Sequence, residues 1–229
     1  LYVSGKLLNH LFQFTLDRTL IRPMLNFGGA FAFAGIAAVL LVNLEKLVLA
    51  KVTTVETLAH YAVAFTLATM ATMFSSAMIQ SLVPAFSQLL IPEKREQLNN
   101  LFARALRLNL VMMLPILVTL FVIARPFFTI WAGEDFGRES TSLFYVLLLG
   151  VFFNIIEYVP HSLLISTGRT DILAKIYWIE LFPYIALIAF LTSTFGAVGA
   201  AMAWGTRVFV DAAVLGYLVR NSSNVSLRV

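Results

Sequence analysis

Asn154, Glu157 and His161 fall at i, i+3 and i+7, so a helix would place them on one face. Glu180 follows, with Tyr177 and Tyr184 at helical spacing around it. Arg207 and Asp211 stand four residues apart, and Trp204 lies one turn earlier. Carboxylates among a guanidinium, an imidazole and phenols can hold a proton, balance a buried cation or fix the register of packed helices. A second group comprises Asn43, Glu45, Lys46, His60, Tyr61 and Gln80. Lys46 can attract an anionic headgroup, and Glu45 can pair with it or carry a proton. His60, Tyr61 and Gln80 suit the wall of an aqueous path. No phosphate-binding Gly-rich loop, no paired His/Cys metal spacing and no nucleophile–base constellation stands out. The expectation is a protein without catalytic residues, metal or cofactor, and not an enzyme.

The elements that must position these residues follow from composition. The 229 residues are 60% hydrophobic and 12% charged. A soluble domain carries about a quarter charged residues, so this chain is read as an integral membrane protein. There is no cysteine, which excludes disulfides. The net charge of +4 comes from basic residues gathered in the connectors, so membrane topology explains it and no nucleic-acid partner is implied. Six apolar runs reach the length needed to cross a bilayer: 24–44, 58–82, 106–124, 141–165, 173–191 and 197–219. They are too long and unalternating for barrel strands. The fold class is therefore all-α: a polytopic membrane protein of six transmembrane helices.

In such a protein every ionisable residue inside a run needs a partner, a wet cavity or a function. Glu157, Glu180 and Asp211 each lie about eight residues, or roughly 12 Å, from the same end of their runs. The spacing suggests one polar layer, with Arg207 and His161 offsetting the acids or one carboxyl holding a proton. A register-fixing ion pair accounts for the same residues. Asn43, Glu45 and Lys46 are read at the opposite end of the first run, where an interfacial cluster that stops the helix is the competing explanation.

Three parts are expected: an amphipathic linker or interfacial helix over 1–23, the six-helix lobe over 24–219 and a tail over 220–229. The connectors are short, so successive helices should be antiparallel neighbours. Eleven Lys and Arg gather on the side of the 92–96 connector, against four on the other. That bias assigns the first side, with both ends of the chain, to the cytoplasm. Small residues at Gly28, Gly29, Ala32 and Gly35, and again at Gly196, Gly199, Ala200 and Ala203, mark faces where backbones can approach. Pro84, Pro115, Pro160 and Pro183 are candidate kinks. The chain starts at Leu1 with no signal-peptide pattern, and is read as the C-terminal part of a longer protein.

Several stretches resemble the polysaccharide-biosynthesis flippases of the multidrug/oligosaccharidyl-lipid/polysaccharide exporter superfamily. Arg22-Pro23-Met24-Leu25-Asn26-Phe27-Gly28-Gly29 resembles the opening of their second half, and Asn43-Leu44-Glu45-Lys46-Leu47 the acidic residue before an outer loop. His60-Tyr61-Ala62-Val63-Ala64, Leu82-Val83-Pro84-Ala85-Phe86-Ser87-Gln88-Leu89 and Ile130-Trp131-Ala132-Gly133-Glu134-Asp135-Phe136 resemble later landmarks. So do Ser166-Thr167-Gly168-Arg169-Thr170 and Phe195-Gly196-Ala197-Val198-Gly199-Ala200-Ala201. The resemblance implies one lobe of a twelve-helix transporter, helices seven to twelve. It implies flipping of a lipid-linked oligosaccharide, typically on a polyprenyl (undecaprenyl) diphosphate, across the bacterial inner membrane. Its partners would be the bilayer, that glycan and a missing N-terminal lobe. It also implies that the first two helices line the cavity, which selects Asn43, Lys46, His60, Tyr61 and Gln80. The alternatives are a cation-coupled multidrug exporter of the same superfamily, for which Glu45 is the acid in place, a membrane-embedded glycosyl- or acyltransferase, and a non-transporting scaffold.

Overall fold

The computed structural model describes residues 18–222. The linker expected over 1–23 lies outside them as far as residue 17, and the tail expected over 220–229 does so from residue 223. Six helices follow one another: α1 (Arg18–Val52), α2 (Val55–Met70), α3 (Thr72–Ser87), α4 (Arg95–Ala132), α5 (Glu134–Ser166) and α6 (Thr170–Ser222). A single 3-10 turn, Pro92–Lys94, leads into α4. There is no strand among the described residues. α4 with its lead-in, α5 and α6 are each long and apolar enough to cross a membrane, and the bent pair α2–α3 makes a fourth span if taken as one. The chain is thus polytopic.

The apolar runs sit inside these helices, but the boundaries differ in informative ways. The run 58–82 is broken at Ala71 by a 42° bend. No proline causes it. The Thr69 hydroxyl donates to Phe65 O at 2.7 Å and the Thr72 hydroxyl to Thr69 O at 2.7 Å, so side chains compete for helix carbonyls at that point. Pro84, Pro115, Pro160 and Pro183, the candidate kinks, lie inside α3, α4, α5 and α6 without ending them, as does Pro126 in α4. The connector expected over 133–138 shrinks to Gly133, whose φ of 95° lies in the left-handed region that separates α4 from α5 at a single residue.

Gly196 does more. Its φ of 59° and ψ of −136° interrupt α6 between the two last apolar runs. Arg207 and Tyr184 are 23 residues apart, which a continuous helix would spread over about 34 Å. The Arg207 guanidinium instead lies 5.7 Å from the Tyr184 ring centre. The arms 170–195 and 197–222 therefore fold back on each other. Gly199 rests against the Leu191 backbone, where a Cβ would collide with its carbonyl.

α5 is the central helix and packs on α2, α3, α4 and α6, whereas α1 packs chiefly on α6. Phe65, Phe128, Phe144 and Trp204 fill the main core between α2, α4, α5 and the second arm of α6. Gly150 lets α5 approach Trp204 so closely that any Cβ there would strike the indole. Polar pins cross this packing. Ser75 donates to Asn109 Oδ1 at 2.8 Å, and Asn109 Nδ2 donates to Ile155 O at 2.9 Å. Asn109 is 1% exposed, so α3, α4 and α5 are tied at one buried point. Replacing Asn109 with Leu removes both bonds and should cost about 1–2 kcal/mol. A denaturant titration of the full-length protein in micelles should read that loss, whereas an unchanged midpoint would mean that the pin is not stabilising.

Candidate functional site

The second arm of α6 carries Arg207 and Asp211 one turn apart on its inner face. Arg207 Nη1 lies 3.4 Å from Asp211 Oδ2, with the two side chains 8% and 2% exposed. Burial at this level needs compensation, because removing two charges from water costs several kcal/mol for each ion. Each remaining carboxylate is brought to the pair by a different element. α5 supplies buried Glu157, whose Oε2 accepts from Asn154 Nδ2 at 3.1 Å, one turn back on the same helix. Asp211 and Arg207 are its electrostatic neighbours. The first arm of α6 supplies Glu180, directly beside Asp211. Neither Glu180 oxygen has a hydrogen-bond partner within the described residues, nor do Asp211 Oδ1 and Arg207 Nε.

α1 joins this layer through a tyrosine. Tyr184, one turn along from Glu180, donates its hydroxyl to Glu45 Oε2 at 3.2 Å. Glu45 is 0% exposed, and its Oε1 lies 3.7 Å from Lys46 Nζ. Lys46 stands over the Phe65 ring at 3.9 Å and also donates to Val42 O at 3.2 Å. Tyr61 is fully buried on α2, and its hydroxyl has no partner among the described residues. Glu45 and Tyr184 are its charged and phenolic neighbours.

The structure thus brings Glu157, Glu180, Arg207 and Asp211 together, with Asn154 at the edge. It also links Glu45, Lys46 and Tyr61 to them, although the sequence alone sets Glu45 and Lys46 at the far end of the first run. The reason is geometric: α1 does not stop near Lys46 but continues to Val52, so Glu45 lies seven residues, about 10 Å, inside its helix. His161 is not drawn into the layer. It faces a cavity of about 300 Å³ with Gly35, Ala38 and Tyr177. His60 sits in a third place, edge-on to Phe136 at 4.6 Å, in a polar cavity with Glu56, Asp135 and Arg138. Asn43 is exposed, with its amide returned to Val39 O at 2.8 Å, and Gln80 is exposed on α3. Sequence reasoning missed Asn109. Its signal was an amide inside the largely apolar run 106–124, two residues past Arg107.

Chemically, four carboxyl groups share two cations, Arg207 and Lys46. Such a set can carry protons, accept a cation or lock helices together. Nothing in it resembles a nucleophile with its base.

The fold and the site together define an all-α polytopic membrane protein with a buried ionic layer. Comparison with known proteins narrows this. Residues 3–140 match the family described as polysaccharide biosynthesis protein, and the chain belongs to that family. A putative O-antigen transporter of Shigella flexneri is 27% identical over 199 residues, covering 87% of this chain and 47% of that protein. A solved MOP superfamily transporter from Pyrococcus furiosus shares the fold at a TM-score of 0.72 and 18% identity, over 90% of this chain and 47% of that one. The chain therefore spans about half the length of the relatives it matches.

Replacing Arg207 with Met would leave Asp211, Glu180 and Glu157 buried without their shared cation. The full-length protein should lose about 3–5 kcal/mol of stability. Adding Asp211→Leu should restore part of that loss, as read by unfolding in micelles. Equal stability of R207M and the parent would contradict a paired layer.

Proposed function

We propose that this chain forms one lobe of six membrane-crossing helices in a twelve-helix transporter that moves a lipid-linked oligosaccharide across the bacterial inner membrane. Family membership and the naming of the Shigella relative support the substrate class. The return of α6 at Gly196 and the length of α1 support six crossings rather than four. The Lys/Arg bias supports an orientation with the 88–94 loop and both ends of the chain in the cytoplasm. The missing half of the protein would supply a second lobe, and the cavity between lobes would open alternately to each side.

The observation that carries this reading is a contrast between two exposed surfaces. α4 faces outward with aliphatic and aromatic side chains, and only 17% of its most apolar stretch is buried. α1 and α3 add exposed amides, Asn43 and Gln80, to their exposed apolar residues, and Lys46, one turn from Asn43, remains partly exposed. Gln80 lies seven residues from the end of α3, roughly 10 Å deep, with no partner within the described residues. An unsatisfied amide at that depth is costly against acyl chains and favourable against water or a glycan. The path is therefore assigned to the α1–α3 face, with Lys46 as the cation for a phosphate group. The buried layer behind it holds α1 in place. Polyprenyl diphosphate is the carrier that chemistry of this kind would accept.

The test uses the full-length protein in proteoliposomes. K46Q and Q80L should each slow translocation of a lipid-linked oligosaccharide by about tenfold, while V118A on the outer face of α4 leaves it unchanged. Transport of organic cations with no oligosaccharide movement would instead support the multidrug exporter.

A further inference from the structure

The outward face of α4 also carries charges that no carboxylate among the described residues pairs with. Between Arg107 and Arg125 its exposed residues, among them Leu108, Val111, Met112, Val118 and Val122, include no ionisable group and no amide. At 1.5 Å per residue the interval is about 27 Å, close to the roughly 30 Å hydrocarbon core of a bilayer. Arg107 therefore marks the level where acyl chains give way to phosphates. Arg104 lies one turn beyond it, with Cβ atoms about 5–6 Å apart at this spacing. Both are exposed.

Neither arginine has an Asp or Glu three or four residues away on its helix. The exposed Arg138 is different: it pairs with Asp135 at 3.3 Å and Glu139 at 3.4 Å. Lys175 pairs with Asp171 at 3.5 Å. Two adjacent guanidiniums without a carboxylate, placed at phosphate level above an apolar stripe, match an anionic lipid in both charge and shape. Guanidinium groups bind phosphate oxygens through paired N–H bonds. A zwitterionic lipid would bring its own ammonium against two cations, which weakens its fit.

We propose that Arg104 and Arg107 form a headgroup site for an anionic phospholipid of the leaflet on the 88–94 side, its acyl chain lying on Leu108, Val111 and Met112. The site depends on α4 crossing the membrane and not on what the protein carries.

Native mass spectrometry of the full-length protein tests this, with phosphatidylglycerol and phosphatidylethanolamine added in separate titrations. Phosphatidylglycerol should be retained in preference, and R104Q/R107Q should weaken it by about thirtyfold, the effect of two charges near an anionic surface. R125Q, at the other end of the stripe, should leave that preference unchanged. R104K/R107K keeps the charge, and it should retain most of the phosphatidylglycerol even if the glutamine variant loses its fold. Equal retention of both lipids, or of phosphatidylglycerol by parent and R104Q/R107Q alike, would overturn the site. So would one-for-one displacement of phosphatidylglycerol by a polyprenyl diphosphate, because the pair would then be a contact for the cargo.

Discussion

A guanidinium buried among apolar helices has to be neutralised where it stands, and Arg207 sets that condition for this fold. At 8% exposure it cannot reach water or phosphate, so its partners must come to it. Asp211 supplies the nearest charge from the same helix. Glu180 can contribute only because α6 reverses at Gly196, and Glu157 only because Gly150 lets α5 close on the second arm. Tyr184 extends the arrangement to Glu45 on α1. A demand for charge compensation thus binds three helices that share few other polar contacts.

The remaining elements answer a different constraint. α3 and α4 are held to α5 by Asn109 and by a separate apolar cluster around Phe86 and Phe102. The bundle accordingly has an ionic side, α1 with α5 and α6, and an apolar side, α3 and α4 with α5. The bend at Ala71 lies on the apolar side, against Ala124 and Phe128 of α4 and Phe144 of α5. Polar groups deep in the first side hold helices together, whereas the proposed path would use Gln80 and the partly exposed Lys46.

Much of this was legible in the residues. Apolar run length gave the helices, and the equal depth of Glu157, Glu180 and Asp211 gave the layer, because the 1.5 Å rise converts position to depth directly. Three things were not legible. Glu45 falls just past the apolar run 24–44 and so reads as a helix end, yet the helix continues to Val52. The bend at Ala71 is hidden because threonine hydroxyls, not a proline, mark it, while Pro84, Pro115, Pro160 and Pro183, the candidate kinks, lie inside helices. His161 shares a helical face with Glu157 but is turned toward a separate cavity, and face periodicity alone cannot resolve that difference.

If Arg207 is the point on which the ionic side depends, its removal should loosen more than its own helix. Hydrogen exchange followed by mass spectrometry on full-length R207Q in nanodiscs measures this directly. Faster exchange should appear over 39–48 of α1 and 154–161 of α5 as well as 177–184 of α6, while 98–113 of α4 stays protected. Exchange confined to 203–211, or spread evenly through all six helices, would contradict the dependence of that side on one buried charge.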